Sequence, residues 1–362
     1  MKTKKNNSSL ACSILLIIVS IIFGFTAISK IHKMREVPLE NKAYIGNLGI
    51  GYNIGNALDV CDWEAKFENK YGIDTQTLWL GENITEDFIK MLAYEGFGVV
   101  RVPVTYMNHI DEDANVDEAW LSRVREVADW IINNDMYCII DIHHDTGNDG
   151  WIMASSDNYE ENHERVINMI TQIANYFKDY DEHLILEGFN EIVDEENHWT
   201  RIPLKSLEAL NDWNQLFVDT VRATGGNNSS RYLLINTYAA IHHSWALYCF
   251  DMPKDSVENR LIVGVHNYSG PDKLESSFKR IKRLSDRGYP VIIGEFGSKA
   301  NANFDRVQHA HDYVVLAKSY GFCPIWWDNG ENPDKHSDSS FALFDRKSCD
   351  TYFEDIVNAL TD

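Results

Sequence analysis

Apolar and polar positions follow two periods along this chain, and the order in which the periods alternate predicts the fold. "GVVRVPV" from Gly98, "YCIIDIHHD" from Tyr137 and "LILEGFNE" from Leu184 are short apolar runs closed by polar residues, the pattern of strands buried on both faces. "YIGNLGIGYNIGNALD" from Tyr44 reads as a glycine-rich first strand and turn, and "YLLINTY", "LIVGVHNY", "PVIIGEFG" and "CPIWWDNG", from Tyr232, Leu261, Pro290 and Cys323, complete the set. Helical spacing fills the intervals at 86–95, 117–133, 160–178, 206–224, 273–287, 304–320 and 351–360, while the fifth connection has no clear pattern. Eight strand-plus-helix units predict an α/β fold, a (β/α)8 TIM barrel. No low-complexity linker interrupts 40–362, so the barrel is one domain. A doubly wound sheet is the rival architecture, but "GYNIGN" lacks the G-x-G-x-x-G spacing of its phosphate turn.

The beginning of the chain has a different character. Lys2, Lys4 and Lys5 precede the uncharged run from Ala11 to Ile28, which ends before Lys30. As a helix it would be roughly 27 Å long, near the hydrocarbon thickness of a bilayer. Residues 1–36 are therefore expected to be a cleaved signal peptide or an uncleaved membrane anchor. The positive flank places residues 37–362 on the outer side, secreted or anchored to the outer face of the membrane. A net charge of −22 repels polyanions and argues against nucleic acid, without excluding a neutral polymer. The six cysteines show no C-x-x-C or zinc spacing; without Cys12 five remain, so at least one is unpaired. No cofactor is required, and nothing suggests an oligomer, so a monomer is expected.

Polar residues gather at the C-terminal ends of the predicted strands. Arg101 lies on the second, His143 and His144 end the third, and Asn190 and Glu191 the fourth. His266 and Tyr268 end the sixth, Glu295 the seventh, and Trp326 and Trp327 the eighth. In a barrel these ends meet at one mouth. Two carboxylates there, Glu191 and Glu295, suit glycoside hydrolysis, in which one group holds a proton while the other stays ionised. Arg101 and the histidines would hold Glu295 anionic, burial beside it would raise Glu191, and the tryptophans offer flat faces for sugar rings. Taken singly, each residue has a plain structural reading: a glutamate in a salt bridge, Arg101 in a buried ion pair, Tyr268 and the tryptophans in the core. "HHD", His143 to Asp145, has a metal-site reading, and with it comes a metal-dependent hydrolase, but no further His or Cys sits at matching spacing, so no metal is expected. A non-catalytic carbohydrate-binding barrel would keep the tryptophans but has no need of both glutamates.

"GYNIGNALD", "RVPVTY", "DIHHD", "EGFNE", "VHNY", "VIIGEFG" and "IWWDNG", in this order, resemble glycoside hydrolase family 5 of clan A. The resemblance covers about 41–362, and "VDTVRATGGNN" and "FALFDR" suggest its bacterial, broad-specificity endoglucanase branch. It implies a retaining endo-β-1,4-glucanase with Glu191 as acid/base and Glu295 as nucleophile, acting on cellulose-like chains, mixed-linkage β-glucan or xyloglucan. An endo-mannanase or xylanase shares that frame. It also implies that Asn190 holds the sugar 2-hydroxyl and that Arg101 and Tyr268 orient Glu295. His143 and His266 would line the central subsite, with Trp327 in preference to Trp326 as its platform and His144 as a further contact. "NEI" stands where the family often has Asn-Glu-Pro, and Asn267 where many relatives of the branch have an aromatic; both bear on substrate preference.

Overall fold

The computed structural model describes residues 33–362; the expected signal or anchor run at 11–28 lies outside them. A helix, α1 (Leu39–Leu48), precedes the first strand, β1 (Gly51–Ile54). Then come α2 (Glu86–Tyr94), β2 (Val99–Val102), α3 (Glu118–Asn133), β3 (Tyr137–Ile142), α4 (Ser156–Tyr176) and β4 (Leu184–Phe189). The second half holds α5 (Leu204–Ala223), β5 (Leu233–Asn236), α6 (Ser244–Cys249), β6 (Leu261–His266), α7 (Leu274–Ser285), β7 (Val291–Phe296), α8 (Arg306–Tyr320), β8 (Cys323–Asp328) and α9 (Glu354–Thr361). The strands pair in sequence order, all parallel, and β8 closes on β1.

The helices follow from their apolar spacing. In α7 the buried residues Leu274, Ser277, Phe278, Ile281 and Leu284 form one stripe, while Lys279, Lys282 and Arg283 face solvent. Side-chain oxygens close several N-termini: Thr85 accepts from the Phe88 amide before α2, Ser155 from Asn158 before α4, and Asp305 from Gln308 before α8. The unclear fifth connection contains the short α6 and a turn of 3-10 helix at Tyr238–Ala240.

One expectation is corrected. Residues 44–48 are helical, and the first strand begins at Gly51. Tyr44, Ile45 and Leu48 have helical spacing and bury together, and Gly49, at a φ of +63°, ends the helix. The glycines around them imitate a strand and turn, but the chance to plug the barrel decides the conformation. Tyr44, Ile45 and Leu48 pack on Val99, Ile139, Ile185, Leu234, Ile262, Ile292 and Ile325, so α1 forms the barrel's floor. A second core lies between the sheet and its helices. Cys61, Cys138, Cys323 and Cys349 form no disulfide with one another.

The floor generates a test. Leu48 is fully buried there, on the side away from the strand ends. Leu48→Ala is expected to lower unfolding stability by about 2–4 kcal/mol in urea titrations. Catalytic turnover at 25 °C should stay at its wild-type value.

Candidate active site

Strand periodicity builds the site directly above this floor. Two residues beyond floor residues Val99, Ile139, Ile185 and Leu234, on the same inner face, stand Arg101, Asp141, Glu187 and Asn236. The barrel interior thus changes from apolar to polar in one step along these four strands. Glycines make the room. A Cβ on Gly264 would lie 1.9 Å from Asn236 Oδ1, and one on Gly294 would lie 3.2 Å from His266 Nε2. Gly294 therefore faces inward, and regular alternation would turn Glu295 outward. The strand register shifts on both sides of β7, at Val265/His266 and at Ile293/Phe296. That irregularity brings Glu295 to the mouth, a re-aiming typical of β-bulges.

Arg101 is fully buried at the centre. Its Nε donates to Glu187 Oε2 at 2.7 Å, and its Nη2 to Glu187 Oε1, Asp141 Oδ2 and Asn190 Oδ1 at 2.8, 2.6 and 2.8 Å. Its Nη1 donates to Asn53 Oδ1 at 3.1 Å and to Glu295 Oε1 at 3.0 Å. The other Glu295 oxygen accepts from the Tyr268 hydroxyl at 2.8 Å. His266 Nδ1 is 2.8 Å from Glu191 Oε1 and 3.4 Å from Glu295 Oε2. His266 Nε2 is buried without a hydrogen-bond partner. A lone pair is cheaper to leave there than an N–H, so Nδ1 carries the proton and donates to Glu191.

Both carboxyls are pushed above their ordinary range. Burial raises Glu295, while His266, Arg101 and the Tyr268 hydroxyl pull it back down. Burial also raises Glu191, with Arg101 as the counterweight, and carries it up to about 7. Glu295 accepts from Arg101 and Tyr268 while Glu191 has only His266 among the described residues, so of the two the charge is better held on Glu295 and the proton on Glu191. Burial keeps His266 and His143 neutral. An oxygen from each glutamate and a His266 nitrogen lie within 4.8 Å of one another.

The remaining expected residues converge on the same mouth. His143 Nδ1 is 2.7 Å from Asp141 Oδ2, so its Nε2 turns to the Asn190 amide nitrogen, 3.5 Å away. The His143 ring lies parallel to Trp327, at 4° and 5.8 Å between centroids. Gly55 supports that indole: a Cβ there would stand 2.6 Å from Trp327 Cη2. Trp326 points behind the sheet, fully buried, with its indole N–H on the Phe341 carbonyl. His144 lies further along the mouth beside Trp63 and Trp79, and burial pushes it down to about 3.

The metal reading of His143, His144 and Asp145 is corrected. Asp145 turns away to accept from the Tyr106 amide and the Trp151 indole. Asp59 is the carboxylate that joins the two histidines within 4.8 Å. Asn53, Asp141, Glu187 and Asn236, members of the Arg101 network, carry no role in the sequence reading. The signal that finds Asp141, Glu187 and Asn236 is the period-two step from the apolar floor.

Comparisons with known proteins agree with this geometry. A family model described as Cellulase (glycosyl hydrolase family 5) matches residues 62–333. The cellulase/esterase CelE of Acetivibrio thermocellus is 36% identical over 93% of this chain; the chain spans 41% of that protein. Endoglucanase 1 of Ruminococcus albus is 34% identical, with 87% of this chain and 79% of the relative aligned. A solved structure described as a GH5-4 broad-specificity endoglucanase from Ruminococcus champanellensis, with bound cellotriose, superposes with a TM-score of 0.81. It is 32% identical and covers 91% of this chain and 99% of its own.

The raised Glu191 carboxyl has a consequence for stability. Folded, it holds its proton up to about 7; its ordinary value is 4.5. The folded state binds the extra proton, so the stability present below 4.5 is lost as pH rises to 7. Glu191→Gln removes this liability. The variant should be more stable than wild type by about 2 kcal/mol at pH 8, a value discounted for the partial exposure of the group. At pH 4 the difference should vanish, and urea titrations at the two pH values check it.

Proposed function

The chain belongs to glycosyl hydrolase family 5 and its barrel is that of an endo-β-1,4-glucanase, and on this premise we propose a double-displacement reaction on soluble β-glucans with Glu295 as nucleophile and Glu191 as acid/base. The observation that carries the proposal is a pair of carboxyls with oxygens within 4.8 Å of each other, of which Glu295 accepts from both Arg101 and Tyr268. An inverting pair stands roughly 6.5–9.5 Å apart to admit a water between them; so close a pair supports the retaining route. In the first step Glu295 attacks the anomeric carbon while Glu191 gives its proton to the departing oxygen. The glycosyl ester is then hydrolysed by a water that Glu191, now ionised, deprotonates.

The surrounding residues supply orientation. Tyr268 and Arg101 each bond one Glu295 oxygen, which holds the carboxylate in place for attack. Asn190 Oδ1 accepts from Arg101 and one amide N–H faces His143 Nε2, which leaves the second N–H to hold the sugar 2-hydroxyl. Trp327, on the His143 side of the mouth, serves as the platform under the central sugar, with His144, Trp63 and Trp79 continuing the cleft. The −22 charge suits a neutral polymer. Cellulose-like chains, mixed-linkage glucan and xyloglucan are the proposed substrates, as a broad-specificity relative supports. The lysine-flanked apolar run at 11–28 supports action outside the cell, secreted or tethered.

Reducing ends released from carboxymethyl cellulose, lichenan, xyloglucan, mannan and xylan test the substrate reading. The β-glucans should lead; activity on mannan or xylan alone would replace the substrate and keep the chemistry. Glu295→Ala should lose at least about 10⁴-fold in turnover of aryl glycosides, with azide restoring a product of inverted anomeric configuration. Substantial activity without azide would remove Glu295 from its role. The acid must stay protonated, so kcat/KM should fall as pH rises through about 7, and that limb should vanish in Glu191→Ala.

A further inference from the structure

Arg101 divides its charge unevenly among the carboxylates it meets. Glu187 takes two of its N–H groups at 2.7 and 2.8 Å, and Asp141 a contact of 2.6 Å. Glu295 receives a single contact, from Nη1, at 3.0 Å, the longest of the four, and shares that nitrogen with Asn53. Glu187 and Asp141 lie behind Arg101 with no exposed side-chain surface, so they do not reach a sugar in the cleft. Each is fixed from its far side. Asn236 Nδ2 donates to Glu187 Oε1 at 2.6 Å, and the Val104 amide to Asp141 Oδ1 at 2.9 Å.

We propose that Glu187 and Asp141 are positioning residues that compete with Glu295 for the guanidinium and so keep the nucleophile reactive. A carboxylate held by a full two-pronged guanidinium pair is a stabilised anion and a poor nucleophile. Here the pairing face of Arg101 is given to Glu187, and Glu295 keeps one bond for orientation. The same competition sets the balance between the two chemical steps. In the first, a Glu295 oxygen forms the bond to the anomeric carbon as the bond to the leaving oxygen breaks and that oxygen takes the Glu191 proton. In the second, water oxygen bonds to that carbon, its proton goes to Glu191, and the electron pair of the ester bond returns to Glu295. A weaker Glu295 slows the first step and leaves more readily in the second.

The inference rests on Glu295 being the nucleophile, and the test separates the two. The groups facing Glu295 are Arg101 from β2, Glu191 from the end of β4, His266 from β6 and Tyr268 from the loop beyond it, with Asp141 and Glu187 acting through Arg101. Removing one competing negative charge, as Glu187→Gln or Asp141→Asn, returns Arg101 to Glu295. The acidic limb of kcat/KM should move down by about one pH unit. On an aryl cellobioside activated enough that ester hydrolysis limits turnover, kcat/KM should fall about tenfold while kcat holds or rises. Glu187→Gln is the cleaner variant, because Asp141 also holds His143; thermal unfolding checks that each variant folds, and either one decides alone. Equal losses in kcat and kcat/KM with the limb unmoved would overturn the proposal and leave a structural role. A 2-deoxy-2-fluoro cellobioside and peptide mapping on the wild-type chain decide the premise: a label elsewhere than Glu295 would end the nucleophile reading itself.

Discussion

A single buried guanidinium governs the upper half of this barrel. Placing Arg101 out of water is costly unless its donors are all matched, and the strands match them with Glu187, Asp141, Glu295, Asn190 and Asn53. Three of those partners are carboxylates, so the cluster is already negative before Glu191 is counted. Another charge beside it is unfavourable, and neither nearby histidine supplies a compensating one, because burial keeps both neutral. Burial puts the proton on Glu191 in these surroundings, with Arg101 as the counterweight, and a protonated Glu191 is what the proposed acid role requires.

That cluster in turn depends on the regular floor below it. On β2, β3, β4 and β5 the inner face makes one apolar contact with the floor and one polar contact above it, so a single register serves both core and site. Where the chemistry needs more than alternation provides, the backbone departs from it. The shift around β7 turns Glu295 inward beside the inward Gly294, and Gly264 leaves the space that Asn236 fills. Gly55 lets the Trp327 indole lie against the backbone, a close approach that any side chain would block.

The fold is legible in the sequence because its signal is repeated: eight apolar runs, each closed by polar residues and separated by helical spacing, leave few alternatives. The exception, 44–48, is informative. Its apolar residues serve a plug, an element outside the repeat, and its glycines resemble those of a turn. The strand-end residues Glu191, Glu295, Asn190 and His143 are visible because they end runs at the same place in successive units. Asp141 and Glu187 are less visible because each is enclosed within an apolar run, where a polar residue reads as an irregularity of the strand. Only the knowledge that Ile139 and Ile185 face the floor identifies their direction. The place of Asp145 in "HHD" is misread for a related reason: adjacency in sequence says little about direction once a strand has ended, and Asp145 turns to the Tyr106 amide while Asp59, from another loop, stands beside the two histidines.

Chemistry and substrate choice therefore rest on different parts of the chain. Arg101, Asp141, Glu187, His266 and Glu295 are carried by strands whose register the whole barrel fixes, and a change of any one disturbs bonds to several others. The aromatic faces exposed beyond them, Trp79, Trp199 and Trp245, belong to the connections after β1, β4 and β5, segments that lie on the same end of the barrel as the mouth. No strand register constrains those connections, so their length and composition can change without disturbing the carboxylates. The departures at Ile192 and Asn267 also lie immediately beyond a strand end, but both side chains are buried, that of Asn267 on the Ser277 hydroxyl, and neither side chain bonds a glutamate carboxyl. A sequence in which the strand-borne residues are complete and the loop-borne ones differ keeps the reaction and alters the chain that it cuts.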